Sequence, residues 1–230
     1  MDTFLPTSTD PLLDVVVPAA PLPDDLAGQR QWAELRKLQL DTERAALELE
    51  SYRRREAEEE AEAGRRHYTF YARVEEDSVQ ACMKALGSWS TRAPGAPLTV
   101  TFNSPGGSVH DGLALFDFLR HLRAEGHHLT TVALGRAASM GAVLLQAGDH
   151  RAVGANAFVM LHEVSSGSAG KVSELEESVE LSRRLQKRLL VILAERSTMT
   201  MAAIQRKWAR RDWWLDAEDA VALGFADEVR

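Results

Sequence analysis

Apolar residues along the chain fall into two regimes. From Gln29 to Ala63 they recur thinly at helical spacing, in a stretch with neither proline nor glycine. Leu35, Leu38, Thr42, Ala45, Leu49 and Tyr52 stand 3, 4, 3, 4 and 3 residues apart, a narrow a/d-like seam on one long helix. The remaining positions are mostly Glu, Arg, Leu, Ala and Gln, which favour helix. After Tyr52 the seam gives way to Arg53-Arg54-Arg55, Glu56 and Glu58-Glu59-Glu60, the pattern of a solvated charged surface. Gly64 is expected to end the helix. The seam reads either as the face of an exposed helical linker or as a surface that self-associates or binds a partner.

From Tyr68 onward short apolar runs alternate with longer amphipathic ones. Strands are expected at Tyr68–Val74, Leu98–Phe102, Leu129–Leu134, Arg151–Val153 and Phe158–Leu161. Helices are expected at Asp77–Trp89, with Val79, Met83 and Leu86 inward, and at Val109–Glu125, with Leu113, Leu115, Phe116, Leu119 and Leu122 inward. Further helices are expected after Ser139, at Ser173–Arg196, at Met201–Ala209 and at Glu218–Leu223. Gly87–Pro97 reads as turn-rich, and Ser173 with Glu176 has capping-box spacing. Strands alternating with helices indicate an α/β fold with crossover connections. Residues 1–24 hold five of the eight prolines and are expected to be a disordered tail, with Leu12–Val17 its one apolar patch. The expected organisation is thus a Pro-rich tail (1–24), a charged helical extension (25–66) and a globular α/β domain (67–230).

Composition narrows the function classes. The net charge is −7, from 27 Lys and Arg against 34 Asp and Glu, which argues against nucleic acid or an anionic membrane as main partner. One cysteine, Cys82, forbids an internal disulfide and fits a reducing, cytoplasmic compartment. No apolar run approaches the roughly 20 residues of a membrane span, and the first 24 residues lack the Lys or Arg of a secretory signal. No Cys/His cluster has zinc-ligand spacing, and no cofactor is expected.

The chemistry centres on Gly135-Arg136-Ala137-Ala138-Ser139-Met140-Gly141-Ala142, small residues between an apolar strand and a helix. A serine at that junction meets unpaired amides and the positive end of a helix, which suits a nucleophile whose reaction creates an oxyanion. The plainer alternative is a small-residue helix start packed on a sheet. His162 closes the apolar run Ala157–Leu161, 23 residues after Ser139; one helix and one strand fit in that span and return the chain to the same sheet edge. It is a candidate base, or a structural histidine. His127 and His128 sit in a polar turn and are expected to be exposed. Asp212, in Arg210-Arg211-Asp212-Trp213-Trp214, can orient an imidazole or pair with a neighbouring arginine. Asn103-Ser104-Pro105-Gly106-Gly107 leaves a strand and exposes glycine amides that can face an oxyanion, or is a plain βα turn.

Taken together, Asn103–Gly107, Gly135–Ala142 with its Ala-Ser-Met centre, Met160-Leu161-His162, and Asp212 with Ala217-Glu218-Asp219-Ala220 and Gly224-Phe225-Ala226-Asp227 resemble the proteolytic subunit family of Clp protease, ClpP. They occur in its order and nearly in its spacing, over Tyr68–Val229. The resemblance implies a ClpP/crotonase-type spiral of βαβ units with a projecting handle helix, here Ser173–Arg196. It implies a serine endopeptidase with Ser139 as nucleophile, His162 as general base and Asp212 as its orienter. Gly107 and Met140 would supply the oxyanion-hole amides. Gly106, Val109, Ser165 and Gly167 would line a peptide bound as an added strand. A peptide or protein substrate and a homo-oligomer of stacked, heptamer-type rings are implied as partners. Two features depart from the family: Glu163-Val164 stands where Gln-Pro is usual, and residues 1–66 replace the N-terminal parts that help dock an ATP-dependent unfoldase. The variant is similar to proteases of tailed bacteriophages acting in head maturation, which would make capsid or scaffold proteins its partners. The competing readings are a crotonase-like acyl-CoA enzyme, a non-catalytic scaffold on the same fold, and a Ser/Lys-dyad peptidase using Lys171, Lys187 or Lys207.

Overall fold

The structure, a computed structural model, describes residue 23 and residues 25–230. The tail expected over 1–24, including its Leu12–Val17 patch, otherwise lies outside the described residues. The chain divides into two compact units between Ala61 and Glu62.

Among its described residues the first unit is one helix, α1 (Leu26–Arg65), of 40 residues whose last four belong to the second unit. Asp25 caps its start, accepting the Gly28 N–H at 2.7 Å. Gly64 does not end the helix. One glycine weakens a long helix by only about 1 kcal/mol, and the chain turns instead at Arg66, whose φ is 43°. The seam residues Leu35, Leu38, Leu49 and Tyr52 are all exposed.

The second unit is built on a seven-stranded sheet. Its strands are β1 (His67–Phe70), β2 (Leu98–Ser104), β3 (Leu129–Ala138), β4 (His150–Val153), β5 (Phe158–Leu161), β6 (Trp213–Leu215) and β7 (Glu228–Val229). Its helices are α2 (Glu76–Arg92), α3 (Val109–Ala124), α4 (Met140–Leu145), α5 (Val172–Arg196), α6 (Met201–Trp208) and α7 (Ala217–Ala222). The order is β1-β2-β3-β4-β7, with β5 on β3 and β6 on β5, and only the β5–β6 pair is antiparallel. Strand β3 is the pivot. Its first half, Thr130–Ala133, pairs with β4, and its second half, Arg136–Ala138, pairs with β5. The sheet therefore forks within one strand, and Gly135 at the fork takes a φ of 68°. The core lies where α2, α3, α4 and the end of α5 cover the sheet, around Phe102, Leu119, Leu129, Leu144 and Leu193. Among the described residues no helix is long and apolar enough to cross a membrane.

Several expectations are corrected. Strand β3 continues four residues beyond Leu134, because its second half gains a partner of its own in β5. Helix α2 runs through Gly87 to Arg92, so the expected turn is confined to residues 93–97. The first turn of α5 is tied by Glu174, which accepts the Lys171 N–H at 3.0 Å, two residues earlier than the Ser173–Glu176 pairing. His127 is buried, bonded to Ser90 Oγ at 2.8 Å and to the Ala96 carbonyl at 2.7 Å; His128 is exposed. Strands β6 and β7 went unread, being three and two residues long.

An ion cluster holds β7 in place. The Arg151 side chain is only 3% exposed and donates through Nη2 to Asp227 Oδ1 at 2.6 Å and through Nε to Oδ2 at 3.1 Å. The backbone closes the clamp, with Asp227 N–H on the Arg151 carbonyl at 2.7 Å and Arg151 N–H on Oδ2 at 2.8 Å. Burial by itself raises the Asp227 carboxyl, but the hydrogen bonds and charge of Arg151 outweigh it and hold the group below its ordinary 3.8. A depressed folded value makes the clamp's contribution complete above pH 3.8 and lost as pH falls toward the folded value. Asp227→Ala strands a buried guanidinium and should destabilise the protein by about 3–5 kcal/mol at pH 7. In urea titrations the gap between wild type and Asp227→Ala should narrow as pH falls below 3.8; a constant gap would contradict the clamp.

Candidate active site

Ser139 occupies the single residue between β3 and α4. Its φ of 55° and ψ of −120° lie in a region that non-glycine residues rarely adopt, and such strain persists only where the surroundings impose it. Here they do. The Ser139 N–H is fixed on the Met160 carbonyl at 2.8 Å, and the Ala142 N–H closes on the Ser139 carbonyl at 3.0 Å. Ala137, Ala138, Gly141 and Ala142 are all buried, so the small residues let the turn sit tightly in the sheet. The sharp strand-to-helix turn exposes Oγ above the sheet edge.

His162 follows β5, which runs beside the end of β3 with Ala138 level with Met160. That register brings His162 Nε2 to 2.8 Å from Ser139 Oγ. With the ring proton on Nδ1, Nε2 accepts the serine hydroxyl. Asp212 precedes β6, whose Trp213 pairs with Leu161, so it arrives next to the imidazole. Its Oδ1 lies 4.0 Å from His162 Nδ1 and its side chain is 58% exposed. That is an ion-pair distance and too long for a hydrogen bond. Among the described residues Asp212 makes no ion pair with Arg210 or Arg211; the Arg211 Nε donates instead to the Lys207 carbonyl at 2.8 Å.

The glycine loop crosses in front of the serine. The Val74 N–H donates to the Gly106 carbonyl at 2.9 Å and the Ser108 N–H to the Val74 carbonyl at 2.8 Å. This parallel bridge turns the Gly107 N–H away from Val74, and Gly107 lines the same cavity as Ser139. Gly107 has a φ of 154°, and a Cβ there would stand 2.1 Å from the Val74 carbonyl oxygen. At Gly106 a Cβ would meet Ser139 Cβ at 2.6 Å. Met140 N–H is the first amide of α4 and, like that of Gly107, has no hydrogen-bond partner among the described residues. Two unpaired amides at the serine turn can receive a negatively charged oxygen.

The cavity beside Oγ holds about 40 Å³. Its rim includes Val109, Glu163 and Ser165, and its apolar wall comes from Val143, Leu161, Leu189, Leu193 and Trp208. Gly106 and Gly167 do not line it: Gly106 underlies the serine, and Gly167 stands in open space. The loop after His162 is tied to α5 by Val164 N–H on Gln186 Oε1 at 3.2 Å and by Ser166 Oγ with Ser182 Oγ at 3.0 Å. The contribution of α5 and α6 to this wall escaped sequence reading. Among the described residues no group of His, Cys, Asp and Glu could hold a metal ion.

Residues 61–230 match the protein family described as Clp protease. An ATP-dependent Clp protease proteolytic subunit of Bacteroides fragilis is 34% identical over 140 residues, which cover 59% of this chain and 65% of that one. The subunit of the same description from Bacteroides thetaiotaomicron is 35% identical over 140 residues, 59% of this chain and 61% of that one. The chain thus spans less than two thirds of the length of these curated relatives.

The bridge geometry yields a stability test. Gly107→Ala drives a Cβ into backbone at a φ that L-residues avoid and should lower stability by more than about 1 kcal/mol. Gly167→Ala meets nothing within 4 Å and should stay within about 0.5 kcal/mol of wild type. Thermal denaturation of both variants checks this; equal effects would refute the tight approach at Gly107.

Proposed function

The chain belongs to the Clp protease family, and on that premise we propose that it is a serine endopeptidase whose catalytic unit is residues 67–230, with residues 25–66 a helical extension. The observation that carries this reading is the 2.8 Å contact between His162 Nε2 and the Oγ of a strained serine. In the proposed reaction His162 takes the hydroxyl proton as Oγ attacks the scissile carbonyl. The Gly107 and Met140 amides receive the developing oxyanion. His162 then returns the proton to the leaving amine, and a water repeats the sequence on the acyl-enzyme. Asp212 moves about 1 Å from its 4.0 Å position to bond Nδ1. Gly107 and Val109 on one side and Glu163 and Ser165 on the other border the site, so an extended peptide would add between them as a strand. The substrate is a peptide or protein, met in the cytoplasm. The narrower form of the proposal, phage head maturation, draws on the extension that stands in place of the family's N-terminal parts.

A fluorophosphonate probe should label wild type and not Ser139→Ala, whose peptide hydrolysis should fall at least about 1,000-fold with the fold intact. Absence of labelling in a folded wild type would favour the scaffold or acyl-CoA reading. Asp212→Asn should lower kcat at least about 100-fold by releasing the histidine tautomer. A loss under threefold would mean that Ser139 and His162 work as a dyad.

The proposal includes a ring assembly in which α5 is the handle. Its last turns are buried, at Leu189, Leu190, Ile192 and Leu193, whereas Val172 is 72% and Val179 50% exposed. Val172, Leu175 and Val179 form an apolar line with Glu176, Glu180 and Arg183 around a groove of about 330 Å³. Such a line on a helix start that leaves the core fits pairing with a facing copy. Leu175→Glu with Val179→Glu should therefore halve the mass in light scattering, or reduce it further, without unfolding the subunit. A wild type that stays at 25.4 kDa at micromolar concentration would refute the assembly.

A further inference from the structure

The seam of α1 lies outside the shared domain, since the family match begins at residue 61 and the seam ends at Tyr52. Its apolar side chains stand in water, with Leu38 64% and Tyr52 63% exposed. In heptad terms Leu35, Thr42 and Leu49 occupy a positions and Leu38, Ala45 and Tyr52 occupy d positions. A lone helix draws little stability in water from propensity alone, and most comes from packing an apolar face.

We infer that α1 pairs along this seam with α1 of a second copy of the chain, as a parallel two-stranded coiled coil. The flanking charges choose both the occupant and the direction. In a parallel, in-register pair each g residue faces the partner's e residue five positions further on. Glu34 then meets Gln39, Asp41 meets Ala46, and Glu48 meets Arg53. Each flank gains one attractive pair and no like-charge contact. Reversing one helix on the same seam sets Asp41 against Glu48 twice by symmetry, a repulsion that offsets the attraction of Glu34 for Arg55, also made twice; the parallel pair has the attraction without the repulsion. Glu48 already reaches Arg44 in its own helix at 3.1 Å; that pair is well exposed, at 81% and 70%, and leaves the carboxylate free to turn to Arg53 of the second copy.

Cysteine cross-linking of the full chain tests the pairing. Leu38→Cys at d and Leu49→Cys at a each place a thiol opposite its own copy. Leu40→Cys, at f on the far side of the helix and likewise exposed, is the control. The native Cys82 is buried, and burial pushes its thiol up to about 12, so it stays silent under mild oxidation. Both seam variants should give at least tenfold more covalent dimer than Leu40→Cys on a non-reducing gel. An antiparallel pair on the same seam sets Leu38 opposite Leu49, so neither single variant would then meet its own copy; dimer from only one of the two would mean that the seam is not in register and would also overturn the proposal. Equal dimer from Leu40→Cys would mean random collision and overturn it, as would no dimer from either seam variant.

Discussion

The double pairing of β3 is the constraint from which the second unit follows. A strand that gives its first half to β4 and its second half to β5 cannot lie in one flat sheet, so the sheet forks at Leu134–Gly135. The fork leaves β4 and β7 on one branch and β5 and β6 on the other. It also brings the end of β3 level with the end of β5, so that Ser139 and His162 emerge side by side. The 2.8 Å contact between them is a consequence of strand register before it is a feature of side-chain rotamers. The strained backbone of Ser139 is kept by the same pairing, since its N–H is bonded to the β5 carbonyl of Met160.

Much of this was legible because the informative signals are local. The alternation of apolar strands and amphipathic helices gave the α/β class. Small residues around Ser139 and the turn at Pro105-Gly106-Gly107 marked the places where backbone approaches backbone. What was not legible depends on partners distant in sequence. Strand β3 extends beyond Leu134 because β5 exists to pair with it. Strand β6 is three residues long and is a strand only because β5 runs beside it. His127 sits in a sequence that looks like an exposed turn, yet Ser90 and Ala96 bury it. The N-cap of α5 moved by two residues because Glu174 serves the Lys171 amide as well as Glu176 would have served Ser173.

Charge is handled differently in the two parts of the chain. Within the α/β unit the buried Arg151 has Asp227, Gln146 Oε1 and the Gly224 carbonyl as acceptors. On α1 the ion pair of Arg44 with Glu48 lies in solvent, where it contributes little. The first arrangement fixes the position of a short strand; the second leaves side chains free to exchange partners. This contrast is why the core network bears on stability and the helix charges bear on recognition.

Strand β6 bonds to one neighbour in the sheet, β5, through three residues, with Trp213 resting edge-on against Phe225 and Trp214 against Phe158. Short terminal strands of this kind open locally at free energies well below that of global unfolding. Asp212 is carried by that strand, whereas Ser139 and His162 are anchored on the interior of the fork. The serine and histidine can therefore remain paired in molecules whose β6 has detached. Amide protection along residues 213–215 would then report an equilibrium that sets how many molecules hold Asp212 beside the imidazole, independently of how stable the whole protein is.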